Sequence, residues 1–401
     1  MSSEKPDLYS PDSYTAALPL DDFDQLRSQC PVYRHPHPDG GDYWLLTRHA
    51  DVVAVSRDHK TFSSEKAFVM VDDLEPEILE MVHNQLLGMD PPRHGPIRRL
   101  VINRFTKAMV GAREQRIREI CREIFTEATA RGDVDFVDDV AGRLPTAVIG
   151  EMMGVPEDMW DQMRTWSDLQ TSADDPDLGA TPEEITQASI EMGTYGFQLA
   201  SERKDQGGDD LISMLINVEI DGEKVTELEF ASLFVQITVA GNETTRGLIA
   251  SGMQQLIEQP ELYAALEQKP ELIAAAVEEM LRVFCPLHYF RRTATCPAHV
   301  GEQEVAEDDR VVMMYSAANM DPEVFDNPRE FDIHRDKNPH LAFGYGIHLC
   351  LGANLARLEA QVFFEEFFKA FQGIESLGEP VRIRSNMVNG FKRMPVRLLP
   401  R

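Results

Sequence analysis

Apolar residues recur at every third or fourth position along most of this chain, and that spacing is typical of amphipathic α-helices. Pro260 and Pro270 each follow a polar residue, where a proline is expected to separate neighbouring helices. The periodicity predicts long helices over residues 113–130, 140–153, 183–205, 226–258, 271–284 and 353–371.

Strand-like segments are short and lie toward the two ends of the chain. They are predicted at residues 43–47, 299–300, 310–314 and 396–399. Residues 319–346 are rich in Pro, Asp, Asn and Gly and show no period. An irregular segment of that length inside a compact chain is usually functional. The expected fold class is therefore mainly α with a small β component.

The chain has 401 residues, of which 43% are hydrophobic, and this is enough for one large domain or two modest ones. No run approaches the roughly 20 apolar residues that a membrane-spanning helix needs. The most apolar stretch, residues 233–240, is interrupted by Gln236. The chain begins with polar and acidic residues and lacks the pattern of a secretory signal. We therefore expect a cytoplasmic protein without a membrane span.

The net charge of −29 argues against nucleic acid and anionic membranes as partners. The five cysteines are odd in number and form no CxxC pair, which argues against a disulfide framework or a zinc site. Basic residues are concentrated in one short region despite the acidic total. They are Arg93, Arg98, Arg99, Arg104 and Lys107.

One cysteine lies in an unusual setting, the segment from Phe343 to Arg357, which reads FGYGIHLCLGANLAR. Gly346 and Gly352 permit tight turns and the close approach of a flat ligand. A helix that begins after Cys350 directs backbone N–H groups at its sulfur and favours the thiolate. A buried cysteine at a helix start is the simpler alternative, but the accompanying Phe, Gly, His and Arg make it the weaker interpretation.

This segment resembles the cysteine loop of the cytochrome P-450 superfamily, Phe-x-x-Gly-x-His/Arg-x-Cys-x-Gly, and it matches at every position. The resemblance implies one domain over residues 1–401, shaped as a triangular prism of helices. It also implies a haem b between the long central helix and the helix after the cysteine, with Cys350 as the axial metal ligand. The other cofactor-binding residues implied by this loop are Phe343, Gly346, His348 and Gly352.

A second segment, VAGNETT at residues 239–245, lies midway along the longest predicted helix. Glycine within a helix costs roughly 1 kcal/mol relative to alanine, and a threonine hydroxyl can bond back to the preceding turn. Gly241 and Thr244 are therefore expected to open a local groove in the helix, large enough for O₂ and a water. A helix with a polar patch that faces a neighbour is the alternative.

This second segment resembles the family motif Ala/Gly-Gly-x-Asp/Glu-Thr-Thr. The resemblance implies that Thr244 orients the protons used in oxygen activation and that Glu243 relays them from solvent. Gly241 belongs to the same catalytic segment, and Ala240 is implied to contact the cofactor.

A third segment, DPPRHGPIRR at residues 90–99, resembles the family motif Asp-Pro-Pro-x-His-x-x-x-Arg. His94 and Arg98 are four residues apart and share one helix face. Haem carries two propionates, and cationic donors bind partly buried carboxylates strongly. The propionate-binding set implied by the resemblance is His94, Arg98, Arg292 and His348, but either Arg291 or Arg292 can fill one of these positions. Arg99 is expected to be solvated.

Glu279 and Arg282 are three residues apart, so they share a helix face and can bond locally. An isolated pair of this kind is usually a solvated surface ion pair. Its position upstream of the cysteine loop resembles the family pattern, and FDIHR at residues 331–335 resembles the segment whose arginine joins the pair. We expect Glu279, Arg282 and Arg335 to have a structural role.

Together these motifs imply a haem-thiolate monooxygenase that inserts one atom of O₂ into a hydrophobic small molecule. No glycine motif typical of flavin- or nicotinamide-binding domains follows a predicted strand. The resemblance therefore implies that electrons come from a ferredoxin and a ferredoxin reductase. The basic residues between 98 and 107, with Arg113, Arg116 and Arg357, are the expected ferredoxin face.

The substrate pocket is expected to be mostly apolar, as suits a hydrophobic ligand. Residues 68–70 and 86–89 of a front loop are expected to contribute to it. Segments 240–246 and 385–392 are similar to those of members that hydroxylate steroid side chains, linear isoprenoids or alkanes, so a sterol, terpenoid or related lipid is the expected substrate. The other expected wall residues are Gln236, Val239, Ala240, Thr244, Leu287, Met387 and Val388.

Two other functions remain open at this point. A haem-thiolate peroxygenase uses peroxide directly, but relatives of that kind lack the acid–alcohol pair that Glu243 and Thr244 provide. A non-catalytic haem-binding sensor needs Cys350 but no proton relay, and it usually carries an output domain.

Overall fold

A computed structural model of the chain describes residues 6–401, apart from residues 172, 179, 205–207, 209, 218 and 221–222. Helices form most of the described regular structure. They are α1 (Leu20–Gln29), α2 (His49–Arg57), α3 (Pro76–Val82), α4 (His94–Ile102), α5 (Lys107–Gly111), α6 (Glu114–Arg131), α7 (Arg143–Met153), α8 (Trp160–Thr171), α9 (Pro182–Glu202), α10 (Leu211–Ile216), α11 (Glu227–Glu258), α12 (Pro260–Gln268), α13 (Ile273–Phe284), α14 (Tyr315–Ala318) and α15 (Ala353–Ala370).

The described strands are short and are distributed along the chain. They are β1 (Val32–His35), β2 (Tyr43–Leu46), β3 (Phe62–Ser63), β4 (Asp133–Asp135), β5 (Glu219–Ile220), β6 (Glu223–Lys224), β7 (Tyr289–Ala294), β8 (Ala298–Val300), β9 (Gln303–Val305), β10 (Arg310–Met314), β11 (Phe371–Ser376), β12 (Val381–Arg382), β13 (Phe391–Arg393) and β14 (Pro395–Pro400).

The six long helices predicted from periodicity are confirmed as α6, α7, α9, α11, α13 and α15. Their ends lie within three residues of the predicted bounds, and the predicted end of α9 at Asp205 lies outside the described residues. Helices α1, α2, α8 and α12 were not predicted; each has 12 residues or fewer. The expected fold class, mainly helical with a small β component, is confirmed.

The largest sheet has five strands in the order β1-β2-β10-β7-β3. Strands β2 and β10 are parallel, and the other neighbours are antiparallel. Strand β7, which the sequence analysis missed, lies inside this sheet. Five of its six residues are buried, so it shows no alternation of apolar and polar residues, and it contains two arginines. Its sequence therefore does not look like a strand.

Helix α11 is the central element of the fold and packs against α7, α8, α9, α13 and α15. Its start is fixed by a reciprocal cap: Glu229 N–H donates to the hydroxyl of Thr226 at 3.2 Å, and Thr226 N–H donates to the Glu229 carboxylate at 2.9 Å. With 32 residues, the helix is about 48 Å long.

Helix α15 lies beside α11 and packs on α6 and α13. Its inner face contributes Phe363 and Phe367, which meet Phe125 of α6 and Phe136 at ring-centroid distances of 5.2–6.5 Å. Buried aromatic rings of this size contribute a large share of core stability. The cluster fixes the helix that follows the cysteine loop. Every helix in the described ranges is too short or too polar to cross a lipid bilayer.

Candidate active site

A cavity connects the middle of α11 with the segment that contains Cys350. It is enclosed by residues of α4, α11, β7, the cysteine loop and the beginning of α15. The empty space between its lining atoms, counted together with the open solvent at its mouth, is about 1380 Å³. The cysteine loop and α11 therefore line one common space.

The cysteine loop, residues 343–352, folds back on itself around the sulfur. Gly344 and Gly346 have φ angles of +68° and +73°, which lie in the left-handed region that favours glycine. The N–H of Cys350 donates to the carbonyl oxygen of Phe343 at 2.9 Å and closes the loop. Because α15 begins at Ala353, a helix start follows the sulfur as predicted.

The sulfur of Cys350 is surrounded by protein but open to the cavity. Burial raises the pKa of the Cys350 thiol above its usual value. The backbone N–H groups of Gly352 and Ala353 and the charges of Arg98 and Arg357 act in the opposite direction. A metal cation bound at the sulfur deprotonates the thiol outright, so the loop suits a metal ligand better than a free nucleophile.

Gly346 has a different role from the expected one. It is not part of the cavity lining, and a Cβ atom at this position would overlap the carbonyl oxygen of Ser56 in α2. The close approach that glycine permits here is therefore to a neighbouring helix rather than to a flat ligand. Gly352 does line the cavity, and a Cβ at that position would meet only the sulfur of Cys350, at 3.9 Å.

Phe343 is fixed beside the cysteine by a cation–π contact. The guanidinium carbon of Arg357 lies 4.5 Å from the centre of the Phe343 ring. Glu278 in α13 holds the same guanidinium at 2.6 Å. Phe343 also lines the cavity, so the ring is a fixed part of the wall next to the sulfur.

Ala240, Gly241 and Thr244 of α11 line the same cavity. The hydroxyl of Thr244 donates to the carbonyl oxygen of Ala240 at 2.9 Å, which is the predicted back-bond. A carbonyl oxygen has two lone pairs and accepts this second bond without losing its backbone partner. Helix α11 is therefore continuous here, and the expected opening of its backbone is not present. A Cβ at Gly241 would lie 3.2 Å from Ile149, so this glycine also permits close packing of α7.

Glu243 is buried next to the cavity but is not part of its lining. One carboxylate oxygen forms an ion pair with Arg246, and the other has no hydrogen-bond partner among the described residues. Arg246 also binds Asp168 of α8 at 2.8 Å, and the Asp168 side chain is 32% exposed. Burial raises the pKa of Asp168, an effect that Arg246 opposes. These three residues connect the protein surface with the middle of α11.

The four residues expected to bind propionates all line the cavity: His94, Arg98, Arg292 and His348. None of them lies within ion-pair distance of a carboxylate in the part of the chain that the structure describes. The Nε2 atom of His94 is buried and without a partner, and the rings of His94 and His348 lie 4.6 Å apart. Unpaired arginines and histidine hydrogen-bond donors on one side of a cavity are a suitable environment for a ligand with two carboxylates.

Burial determines the pKa values of the two histidines among these four residues. It lowers the pKa of His94 to about 4 and that of His348 to about 2, and the charge of Arg98 lowers the pKa of His94 further. The histidines are therefore neutral at pH 7 and supply hydrogen-bond donors. The charge that balances a dicarboxylate comes from Arg98 and Arg292.

The structure separates the functions of Arg291 and Arg292. Successive side chains of a strand point to opposite faces, and both arginines belong to β7. Arg291 binds Asp73 at 2.6 Å and the carbonyl oxygen of Val71 at 3.1 Å. Arg292 lines the cavity. Of the two alternatives left open by the sequence, only Arg292 is placed to contact a ligand there.

The apolar wall contains part of the expected set. Gln236, Ala240 and Leu287 line the cavity, together with Leu86 and Leu87 of the front loop. Residues 68–70 of that loop are not part of the lining.

Three expected wall residues lie elsewhere. Val239 packs against the main core, because it is turned about 100° from Ala240 around the helix axis. Val388 forms a β-bridge with Leu287 behind the wall. Met387 packs against the cluster near the N-terminus. These positions correct the expected pocket.

Glu279, Arg282 and Arg335 meet in a buried network, as the sequence predicted. Glu279 accepts two hydrogen bonds from Arg282, at 2.6 and 2.9 Å, and a further one from Arg335 at 3.2 Å. Arg282 also donates to the carbonyl oxygens of Pro328 and Glu330, at 2.7 and 2.9 Å. The network thus holds the irregular segment before the cysteine loop against α13.

Sequence reasoning missed Glu359 of α15, which lines the cavity together with Thr245. One of its carboxyl oxygens is buried and unpartnered, and burial raises the pKa of Glu359 to about 8. Arg246 and Asp168 were also missed. The spacing Glu243–Arg246 signals the first of these, whereas Asp168 lies on a different helix and no local pattern reveals it.

Comparison with known proteins identifies the group to which this arrangement belongs. The family model described as cytochrome P-450 matches residues 178–398, more than half of the chain. The steroid C26-monooxygenase of Rhodococcus jostii (strain RHA1) is 37% identical over 403 residues, which cover 97% of this chain and 84% of that protein. The linalool 8-monooxygenase of Pseudomonas putida is 33% identical and covers 99% of this chain and 100% of its own length.

A solved structure shows the same fold. It is that of a Mycobacterium marinum cytochrome P-450 in complex with pseudoionone, with a TM-score of 0.92 and 34% identity. The match covers 99% of this chain and 100% of that one.

Proposed function

The chain belongs to the cytochrome P-450 family of monooxygenases, and on that premise we propose that Cys350 is the axial ligand of a haem b. The substrate is a hydrophobic small molecule. One observation carries the proposal: the cavity that Cys350 enters is also lined by Gly241 and Thr244 of α11 and by four donors suited to two propionates. One cavity is therefore lined by the cysteine, by the part of α11 proposed to act in oxygen activation, and by the groups suited to bind carboxylates.

Bound haem supplies the activation of O₂ and the transfer of one oxygen atom into a C–H bond. The residues of this chain position that chemistry. Cys350 provides the thiolate, and Arg98 and Arg292 neutralise the propionates while His94 and His348 donate hydrogen bonds to them. Aliphatic side chains around the cavity exclude water from the substrate.

Proton supply is assigned to Thr244 and Glu243. The Thr244 hydroxyl holds a proton inside the cavity and donates it in a hydrogen bond to the carbonyl oxygen of Ala240. Glu243 has one oxygen without a partner and is linked through Arg246 to the partly exposed Asp168. For delivery, the Glu243 carboxyl must leave Arg246 and turn toward Thr244.

We assign the substrate to the lipids and terpenoids. The wall formed by Leu86, Leu87, Ile237 and Leu287 is apolar, and a pocket of this kind binds hydrophobic molecules. Relatives named as a steroid C26-monooxygenase and a linalool 8-monooxygenase support this class.

We assign the electron supply to a ferredoxin and its reductase, docked on the basic residues between 99 and 107 and on Arg113; Arg98, expected on the same face, lines the cavity instead. Arg116 and Arg357, also expected on that face, are committed to Glu151 and Glu278 at 2.8 and 2.6 Å. They contribute less net positive charge to a partner. The five free thiols suit a reducing compartment, and we place the protein in the cytoplasm.

The ligand assignment is tested on the purified, haem-loaded protein with Cys350→Ser. We expect the reduced carbonyl complex of the unmodified protein to have the spectrum of a thiolate-ligated haem and the variant to lose it. Cys296→Ser is the matched control, because Cys296 is exposed and lies outside the cavity, and its spectrum should be unchanged. A Cys350→Ser protein that keeps the thiolate spectrum would disprove the assignment.

The oxygen-activation role is tested with Thr244→Ala in turnover driven by a surrogate ferredoxin. We expect the amount of product per electron consumed to fall by about tenfold or more, since a positioned proton donor contributes at least that much. Thr238→Ala removes a buried hydroxyl of the same helix that lies outside the cavity, and it should leave this ratio unchanged. Equal ratios in both variants, or efficient turnover with peroxide alone, would favour a peroxygenase.

A further inference from the structure

Gln236 is the polar residue at the apolar end of the cavity. It lies on the same face of α11 as Ala240 and Thr244, at intervals of four residues, and all three line the cavity. The neighbouring lining residues Leu86, Leu87 and Ile237 are aliphatic. A polar side chain in such a wall usually fixes the orientation of the ligand.

The two ends of the Gln236 amide have different roles. Its oxygen accepts the backbone N–H of Leu86 at 2.8 Å. Because an N–H group can bond only to the oxygen end, this contact fixes the orientation of the amide. Its nitrogen carries two N–H donors, for which the described residues supply no acceptor. This nitrogen keeps some accessible surface, and Gln236 lines the cavity, so its N–H groups are open to a ligand there.

The front loop on the other side of Gln236 is held in place independently. One turn earlier on α11, the hydroxyl of Ser232 donates to the carbonyl oxygen of Met81 at 3.2 Å. A further turn earlier, Glu229 accepts from Arg93 at 3.4 Å. The loop that supplies Leu86 is therefore fastened to α11 at three levels, and the free N–H groups of Gln236 have a fixed position.

We infer that Gln236 is a specificity-determining residue whose amide nitrogen binds an oxygen acceptor at the far end of an elongated hydrophobic substrate. Gln236 and Thr244 are two helical turns apart, about 12 Å along the helix axis. The substrate class is therefore a molecule whose acceptor oxygen lies on the order of 12 Å from the carbon to be oxidised. This inference rests on the proposed function and narrows its substrate.

A pure hydrocarbon would displace water from these N–H groups and leave them without an acceptor. Burying an unsatisfied donor opposes binding, whereas a ligand carbonyl or hydroxyl oxygen restores the bond. A single hydrogen bond of this kind changes affinity by roughly threefold to tenfold. Gln236 thereby selects for oxygen-bearing ligands and also determines which end of the ligand approaches Thr244.

The test uses dodecane and 2-dodecanone with the haem-loaded protein and measures dissociation constants from the low- to high-spin optical shift. The ketone accepts hydrogen bonds but does not donate them. We expect the unmodified protein to bind 2-dodecanone roughly threefold to tenfold more tightly than dodecane. The shorter pair, hexane and 2-hexanone, cannot reach from Thr244 to Gln236, and its two members should bind alike.

Gln236→Glu is the decisive variant at pH 9, where a carboxyl group buried in this cavity is ionised: it still accepts the Leu86 N–H but has lost the donor. We expect this variant to bind 2-dodecanone and dodecane equally. Its negative charge should also repel dodecanoate, so it should bind dodecanoate more weakly than the unmodified protein does. Gln236→Met, which lacks donor and acceptor, should abolish the same preference without affecting dodecanoate through charge. Ser232→Ala loosens the same loop without touching the ligand and should leave the ratio of the two dissociation constants unchanged.

Equal binding of dodecane and 2-dodecanone by the unmodified protein would overturn the inference, as would a preference that survives in both Gln236 variants. Failure of the proposed function has a separate signature, since the reduced carbonyl complex would then lack the thiolate spectrum. A normal spectrum with no ketone preference would leave the monooxygenase assignment intact and remove only the role of Gln236.

Discussion

Two buried ion pairs in this molecule have the same spacing and opposite surroundings. Glu279–Arg282 on α13 and Glu243–Arg246 on α11 are each three residues apart on one helix face. In the first, both carboxylate oxygens are used: Asp332 N–H donates to one at 2.9 Å, and Asn338 donates to the other at 3.0 Å. The whole pair is inaccessible to solvent.

The pair on α11 is incompletely bonded. One oxygen of Glu243 and the Nε atom of Arg246 are buried without partners. Its outer member, Asp168, is partly exposed and provides a connection to solvent. Glu359, on the other side of the cavity, has no ion-pair partner within the described residues. The three acidic sites thus form a series from fully paired through half paired to unpaired.

This series relates bonding to function. A fully satisfied buried network fixes a structure and resists change, whereas a partly satisfied one has freedom to rearrange. The pair on α13 is therefore suited to hold the segment that leads to Cys350. The pair on α11 is suited to release a carboxyl group during proton delivery. The same short motif has two uses because the surrounding chain completes the bonding of only one.

The largest effect is expected from Glu279→Gln. The variant leaves the guanidinium groups of Arg282 and Arg335 without a carboxylate in the interior, and breaking a buried pair in this way costs about 3–5 kcal/mol. That is a large part of the total stability of a typical domain. We expect a much lower midpoint in urea unfolding and little retained haem.

Glu278→Gln is the control for this experiment. Glu278 is adjacent on the same helix, but its side chain is 32% exposed, and its loss should lower the midpoint far less. A Glu279→Gln protein as stable as the control would show that the network is not needed for the fold.

The next effect concerns Glu359 and depends on pH. Burial raises the pKa of Glu359 to about 8, above the unfolded value near 4.3. The folded state therefore holds this proton more tightly than the unfolded state. Stability is fully present below about pH 4 and is lost as pH rises through 8, by roughly 3.5 kcal/mol at pH 7 and on the order of 5 kcal/mol in full. Glu359→Gln removes this loss, so its advantage over the unmodified protein should grow from pH 5 to pH 9.

Unfolding free energies from urea titrations at pH 5, 7 and 9 measure this difference. The fully paired carboxylate behaves in the opposite sense: burial alone raises its pKa, but the bonds from Arg282, Asp332 N–H and Arg335 hold the pKa of Glu279 below its usual value. Its contribution is lost on acidification. Parallel stability curves for Glu359→Gln and the unmodified protein would contradict the assigned ionisation.

The smallest change in free energy is expected for Glu243→Gln. The amide keeps a hydrogen bond to Arg246 but cannot transfer a proton. We expect product formation to slow by about a hundredfold, the lower range for removal of an acid–base group. The solvent isotope effect on turnover should rise, and the unfolding midpoint should change much less than in Glu279→Gln. If Glu243→Gln lowered the unfolding midpoint but left the rate of product formation unchanged, the pair on α11 would have a structural role, like the pair on α13.

The sequence predicted those parts of the structure that depend on local pattern. The long helices, the cysteine loop and the contact between Glu279 and Arg282 follow from spacing along the chain. Strand β7 was missed because burial on both faces removes the alternation that identifies a strand. The choice between Arg291 and Arg292 depends on this strand, because successive side chains of a strand point to opposite faces and only one of the two can face the cavity.

The remaining corrections arise from contacts distant in sequence. Gly346 approaches Ser56 of α2, and nothing near either residue signals that meeting. Asp168 reaches Arg246 from another helix, and Glu359 faces the cavity only because α15 lies beside α11. Motifs identify which residue types are present, whereas tertiary packing decides which of them share a space.

Helix α11 carries Gln236, Thr244 and Glu243 on one uninterrupted rod of 32 residues. The distances between them are set by the number of intervening residues, because each residue adds about 1.5 Å. Loop movements cannot change these distances. The positions of α11 that line the cavity come in adjacent pairs, 236 and 237, 240 and 241, 244 and 245, whereas Leu233 is buried outside the lining. The helix is thus a ruler whose paired marks are about 6 Å apart, and moving the polar group to the next pair shortens the preferred ligand by one such step.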